Sequence, residues 1–293
     1  MITIGLSSYS MSRAINDGRM DIFQVMDFIA ANGGKHIEIV PSGKFTLYKE
    51  DGTANDEFIA KIVQHAKDTG LALSSYTVGA NFVLDDEEAY QKEIERVKKE
   101  VDIAAKLGVK RMRHDAGWAG IEQSTYATYE KYFGKVVNAF QILADYAKPF
   151  GIVTSFENHG YLFQGSERVQ RVILAVNRDN FRTTMDVGNF LCADEEPVIA
   201  AMNNLPFASM IHFKDFYIRE NIPCRDGYFS SRHGRLLRGA VTGEGDVDLR
   251  TITKLIKNSG YDGFVSIEFE GAEDCVEACV RSLKNVIALF EQA

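Results

Sequence analysis

Residues 152–186 read IVTSFENHGYLFQGSERVQRVILAVNRDNFRTTMD. Two short runs rich in β-branched and aromatic residues, 152–157 and 181–186, are bounded by turn residues and read as strands. A helical pattern over 167–177 lies between them. Each strand ends in a carboxylate, Glu157 in the first and Asp186 in the second. A buried ionisable group is costly unless it is paired or bound to a metal. This one strand–helix–strand unit therefore shows both the architecture and the place where chemistry would sit.

The alternation continues to both ends of the chain. Upstream, strands are predicted at 2–8, 36–40, 71–78 and 109–114, with helices at 21–32, 55–68, 87–107 and 126–149. Downstream come helix 195–203, strand 208–213, helix 248–258, strand 264–269 and helix 274–291. The helices rest on period: Tyr90, Ile94, Val97, Val101, Ala104 and Leu107 step by three or four and bury one face. Acids from Asp85 to Glu88 crowd the start of that helix, where its dipole favours them. Gly33, Gly70, Gly108, Gly151 and Gly260 each follow a helical pattern, as helix-ending glycines do.

Strict alternation implies a mainly parallel sheet. Eight strand–helix pairs over 293 residues fit a closed (β/α)8 TIM barrel better than an open doubly wound sheet. The predicted fold is α/β, a single barrel domain spanning 1–293 with a long loop after strand seven. No Gly-rich phosphate fingerprint follows the first strand, where Gly5 stands alone before LSSYS. Residues 216–246 carry no convincing helix or strand. A structureless loop of about 30 residues in a compact domain is usually functional or disordered. Its position would let it cover the C-terminal face of the barrel.

Lys and Arg total 33 against 41 Asp and Glu, for a net charge of -8. That sign disfavours general nucleic-acid binding, which rests on positive charge. No run approaches the ~18 apolar residues of a spanning helix. The N-terminal MITIGLSSYS lacks the basic region of a signal peptide. Cys192, Cys224, Cys275 and Cys279 are sparse and read as ordinary buried thiols. The expectation is a cytoplasmic protein with a small-molecule partner, no nucleic acid and no membrane.

Two further strands end in metal-type ligands. ASMIH at 208–212 stops at His212, and FVSIE at 264–268 stops at Glu268. Sites in such barrels lie at the C-terminal ends of the strands. Closure would bring Glu157, Asp186, His212 and Glu268 together from strands five to eight. Three carboxylates and one imidazole suit one divalent cation of the manganese, magnesium or cobalt type. A closed structural zinc site would favour thiolates and more imidazoles. Manganese is the expected ion, with magnesium, cobalt or zinc as alternatives. Four unrelated surface residues at strand ends are the plainer alternative.

The segments SFENHG at 155–160, TMDVGN at 184–189, IHFKD at 211–215, GEGDVD at 243–248 and SIEFEG at 266–271 carry a resemblance. In order and spacing the chain resembles the xylose-isomerase-like TIM-barrel superfamily. That superfamily includes sugar phosphate isomerases and epimerases, ketose 3-epimerases and inosose dehydratases. The resemblance spans the barrel and is densest in its second half. It implies that Glu157, Asp186, His212 and Glu268 bind one divalent metal, and that Glu157 and Glu268 move a substrate proton. The chemistry follows: a cation on a carbonyl and adjacent hydroxyl stabilises the enediolate left by deprotonation. One carboxylate removes the proton and the other returns it.

The implied activity is a sugar or sugar-phosphate isomerase or epimerase. A dehydratase or lyase acting on a keto-polyol or a C-glycoside would begin with the same proton abstraction. Apurinic-site endonucleases share the fold but need three metals and more histidines. Asn189 stands where that family places a histidine, and its later Asp-x-His pair is reduced to Ser231 and His233.

Substrate contacts are expected from Glu38, His114, Trp118, His159, Asn189, Lys214, Arg219 and His233. His159 could instead orient a carboxylate. Glu38, inside HIEIV, could form a structural salt bridge. Trp118 could pack on a sugar face or cap the core. Lys214, Arg219, Arg225, Arg232, Arg235 and Arg238 make one stretch locally basic. It suits a substrate phosphate or carboxylate, a solvated loop, or a contact in a homo-oligomer.

Overall fold

The computed structural model describes residues 2–220 and 222–293. Its strands are β1 (Thr3–Ser7), β2 (His36–Ile39), β3 (Ala72–Val78), β4 (Arg111–His114), β5 (Val153–Glu157) and β6 (Phe181–Asp186). They continue as β7 (Ala208–Phe213), β8 (Asp215–Arg219), β9 (Phe229–Ser230), β10 (Leu236–Ala240) and β11 (Phe264–Ile267). The helices are α1 (Ser12–Asn16), α2 (Ile22–Ala31), α3 (Asp56–Thr69), α4 (Glu87–Leu107) and α5 (Tyr126–Ala147). After them come α6 (Ser166–Val176), α7 (Pro197–Asn204), α8 (Leu249–Asn258) and α9 (Cys275–Gln292).

Strands β1 to β7 and β11 close a parallel barrel, with β1 bonded to both β2 and β11. Every barrel strand and every predicted helix falls where the sequence pattern places it, within the usual drift at the ends. In α4, Asp86 accepts the Ala89 N–H at the start, and Gly108 ends the helix in the left-handed conformation. The six apolar residues of its stripe are all buried.

Alternation along the strands sorts side chains into two sets. Leu6, Ile37, Met112, Phe156, Met185, Ile211 and Val265 are fully buried and belong to the apolar core shared with the helices. Full burial of such a side chain is worth roughly 1.5–3 kcal/mol. The other set faces the barrel axis and is largely polar. Ser155 and Thr184 hydrogen-bond there at 2.8 Å. Below them His36 lies across Gly5, where any Cβ would sit 2.6 Å from the imidazole. The lone glycine after the start of β1 is therefore a packing residue.

One expectation is corrected. Residues 216–246 are not structureless, because β8, β10 and β9 form a separate antiparallel sheet. Phe216 and Leu237 are buried on one of its faces. Its pattern was hidden because arginines cover the other face: Arg238 lies over the Tyr217 and Tyr228 rings at 5.2 and 5.1 Å. Such stacking lets a charged residue occupy a strand position without isolation in water. The cysteine expectation also needs amending. Cys192, Cys275 and Cys279 are buried, but Cys224 is exposed. Among the described residues, no helix is long and apolar enough to cross a membrane.

Candidate metal centre

Four barrel strands deliver Glu157, Asp186, His212 and Glu268 to one point. One ligand atom from each lies within 4.8 Å of all the others. Register explains the convergence: Asp186 pairs with His212, and His212 pairs with Ser266, two residues before Glu268. Glu268 itself stands one residue beyond β11.

Each ligand is held from behind. Glu157 takes Arg113 Nη2 on Oε2 at 2.7 Å and Asn189 Nδ2 on Oε1 at 2.8 Å. Asp186 Oδ1 accepts the backbone N–H groups of Gly188 and Asn189 at 2.8 and 2.9 Å. Asn158 bonds both backbone groups of Asp186 and so ties the ends of β5 and β6 together. Gly188 is required where it stands, since a Cβ there would lie 2.6 Å from the Lys214 carbonyl oxygen. His212 Nε2 lies 2.9 Å from Glu38 Oε2. Thr77 Oγ1 in turn donates to Glu38 Oε1. Glu38 thereby fixes the proton on Nε2 and turns Nδ1 toward Glu157 and Glu268, 3.6 and 3.7 Å away.

The electrostatics point the same way. Glu38, Asp115, Glu157, Asp186, Glu268 and Glu270 crowd round two permanent cations, Arg113 and Lys214. Burial alone would raise the Glu157 carboxyl, but Arg113 and His212 hold it well below the usual range. Asp186 goes the other way: burial, with Glu157 and Glu268 nearby, pushes it up to about 7 despite Lys214. Burial opposes charge on His212 and Lys214, yet the surrounding carboxylates raise both well above their ordinary values. His212 Nδ1 is buried without a hydrogen-bond partner, and Asp186 Oδ2 meets only the Lys214 ammonium, at 3.3 Å. An unpartnered imidazole nitrogen inside an excess of carboxylates fits a divalent cation, which would supply its missing partner.

The cluster opens into a cavity of about 200 Å³ whose walls include Tyr9, Thr77, Arg113, Asp115, Glu157 and Glu268. A second lobe of about 100 Å³ adjoins it and includes Trp118, Asn189, Phe216 and Phe229. His159, Lys214 and Glu270 line both lobes. Asp115 sits 3.2 Å from His159 Nδ1 and, against burial, raises that imidazole above its ordinary value. Lys214 Nζ reaches Glu268 at 2.7 Å, Glu270 at 3.2 Å and Asp186 at 3.3 Å.

Of the residues expected to touch substrate, His159, Trp118, Asn189 and Lys214 line this cavity. Glu38 is fully buried behind His212 and orients it. His114 is displaced from the mouth altogether. Its ring packs behind the barrel on Phe140, with centroids 4.9 Å apart, and burial lowers its pKa to about 4. The alternation of β4 turns Arg113 inward in its place. Arg219 and His233 line a separate groove and pair with Asp246 and Asp194 at 2.8 and 2.9 Å. Of the basic residues from 214 to 238, only Lys214 reaches either lobe. Arg113, Asp115, Tyr9 and Glu270 were missed. Arg113 pairs in register with Ser155, two residues before Glu157, and no local motif carries that information.

The family model for the xylose isomerase-like TIM barrel matches residues 26–286. An inosose dehydratase from Lacticaseibacillus casei is 24% identical over 139 residues, 46% of each chain. The chain thus matches about half the length of these curated relatives. A probable 3-DHS dehydratase, AsbF, from Bacillus anthracis superposes with a TM-score of 0.76 at 16% identity, covering 98% of this chain and 99% of that one. The IolI protein, solved with a zinc atom, gives 0.75 at 17% identity over 99% and 98%. D-Psicose 3-epimerase, solved in the presence of D-fructose, gives 0.72 at 15% identity over 98% and 99%. At these identities the structural likenesses speak for the fold alone. With the family match covering nearly the whole barrel, this chain belongs to the xylose isomerase-like TIM-barrel family.

Proposed function

We propose that this protein is a divalent-metal-dependent sugar isomerase or epimerase, with Glu157 and Glu268 as its acid/base pair. The observation that carries this reading is the convergence of four strand-end groups beside a cavity lined by two of them, Glu157 and Glu268. A bound divalent cation supplies the charge that stabilises the anion left when a carbon next to a carbonyl loses its proton. Glu157 is suited to accept that proton, because Arg113 and Asn189 fix both of its oxygens and Arg113 keeps it ionised. Glu268 is suited to return one, with Lys214 at 2.7 Å to steady its charge. The fixed neighbours hold both carboxylates in place before the substrate arrives. Since Lys214 alone among the loop bases faces the cavity, a neutral sugar fits better than a sugar phosphate. Manganese is the first ion to test, beside magnesium, cobalt and the zinc found in the IolI structure.

A lyase reading has one observation in its favour. His159 lines both lobes, and Asp115 favours its charged form. It is placed to protonate a departing oxygen. The dehydratase relatives are in keeping with that.

The deciding experiment is incubation of metal-loaded protein with a panel of ketoses, inososes and keto-glycosides in deuterated water, followed by NMR. Deuterium beside the carbonyl, with every hydroxyl retained, is the expected result. Loss of water or an aglycone transfers the assignment to the lyase. Neither outcome with any substrate and any of the four metals rejects both.

A further inference from the structure

The proton transfer proposed above uses only the metal lobe and leaves the aromatic lobe without a task. Its walls are Trp118 after β4, Tyr161 after β5, and Phe216 and Phe229 from the antiparallel sheet. Three separate rim segments thus bring one aromatic group each, or two, to the same small space. Trp118 is 64% exposed and Phe229 37% exposed. Leaving such large apolar faces in water forgoes the stabilisation that burial would bring. The lobe is also built with care. Tyr161 is held at φ 64°, a left-handed conformation that a bulky residue adopts at a cost. Its N–H donates to Gln164 Oε1 at 2.6 Å, and its hydroxyl donates to the Ser230 carbonyl at 2.9 Å. The second bond ties the rim after β5 to the sheet. Phe216 and Phe229 pack edge to face at 5.6 Å.

We infer that this lobe is a subsite for a ring carried by the reacting sugar, so that the substrate is a ring-bearing keto-glycoside, its carbonyl away from the anomeric carbon, rather than a free monosaccharide. The inference rests on the sugar reading of the metal centre. Aromatic walls recognise a flat, weakly polar face, whether an aryl group or a second pyranose. A phosphate tail is a poor match. The sole cationic side chain shared with the metal lobe besides His159 is Lys214, already engaged by three carboxylates. Continuity between the lobes through His159, Lys214 and Glu270 lets one molecule occupy both.

Trp118 is the single tryptophan of the chain, so its emission reports on this lobe directly. Manganese-loaded protein is titrated with D-glucose, cellobiose and phenyl β-D-glucopyranoside. A ring-bearing ligand is expected to change the emission and to bind about tenfold tighter than glucose, the equivalent of ~1.4 kcal/mol. Phenyl glucoside as the tighter of the two identifies an aryl ring, and cellobiose a second sugar. Phe229→Ala, at a half-exposed position, should remove most of that advantage. Equal constants for all three sugars, no emission change with either ring-bearing ligand, or an unaltered Phe229→Ala profile overturns the inference. Binding is read without turnover. A failed solvent-exchange assay therefore sinks the proton-transfer reading alone, and a failed titration sinks the ring subsite alone.

Discussion

The two halves of the barrel contribute differently to one site. Strands β5, β6, β7 and β11 end in the four groups that converge on a cation position. Strand β2 contributes Glu38, which reaches His212 from across the barrel and is held by Thr77 of β3, and β4 contributes Arg113, which pairs with Glu157 on the neighbouring β5. The histidines make the contrast plain. His212 in the second half is ringed by carboxylates and raised well above its ordinary pKa. His36 and His114 in the first half are buried with a backbone carbonyl each, and burial lowers both to about 4. The same side chain belongs to a candidate metal cluster in one half and to the core in the other, and its neighbours alone decide which.

If the second half holds the chemistry, its glutamates should show the largest effects. Glu157→Gln and Glu268→Gln should each lower solvent exchange by about 10²–10⁴-fold, the range for a lost general acid or base. Near-wild-type exchange in either variant would sink the two-carboxylate mechanism. If the first-half histidines are structural, they should govern stability instead. Each charges below about pH 6.5 when unfolded but only near pH 4 when buried. Protons therefore favour the unfolded chain as pH falls from 6.5 to 4. The stability is fully present above that window and lost below it, by roughly 3 kcal/mol per ring. Urea unfolding across this range should show the slope, and His114→Gln should flatten part of it without altering cation affinity.

Glu38 tests how far one half depends on the other. Glu38→Gln keeps the hydrogen-bonding shape but removes the charge behind His212. Manganese affinity, measured by calorimetry, should weaken by about 10–100-fold. An unchanged constant would make the second half self-sufficient. The smallest effect is expected from Arg219→Ala, which should leave exchange within about twofold, because its exposed pair with Asp246 is screened by water and salt. A larger loss would return the basic stretch to the site.

The ligand half was legible because each ligand closes a short apolar run, so burial and charge collide within a few residues of sequence. The supporting half was not. Arg113 and His114 are adjacent, and choosing which faces inward requires the register of β4 against β5. A one-residue slip would exchange their roles. Arg219 and His233 lie in a basic stretch whose charge suggested anion binding. Their actual partners, Asp246 and Asp194, lie 27 and 39 residues away in sequence.

What the amino-acid order determined by itself was the alternation of strand and helix, the closed parallel barrel and the four metal-type side chains at strand ends. These depend on periodicity and on the local cost of burying charge. What only the tertiary structure decided was which residues stand behind the ligands, and that three rim segments meet in an aromatic lobe beside them. Those pairings join residues as far apart as Glu38 and His212, 174 positions along the chain. Barrel closure and strand register create such contacts, and neither is written in any short stretch of sequence.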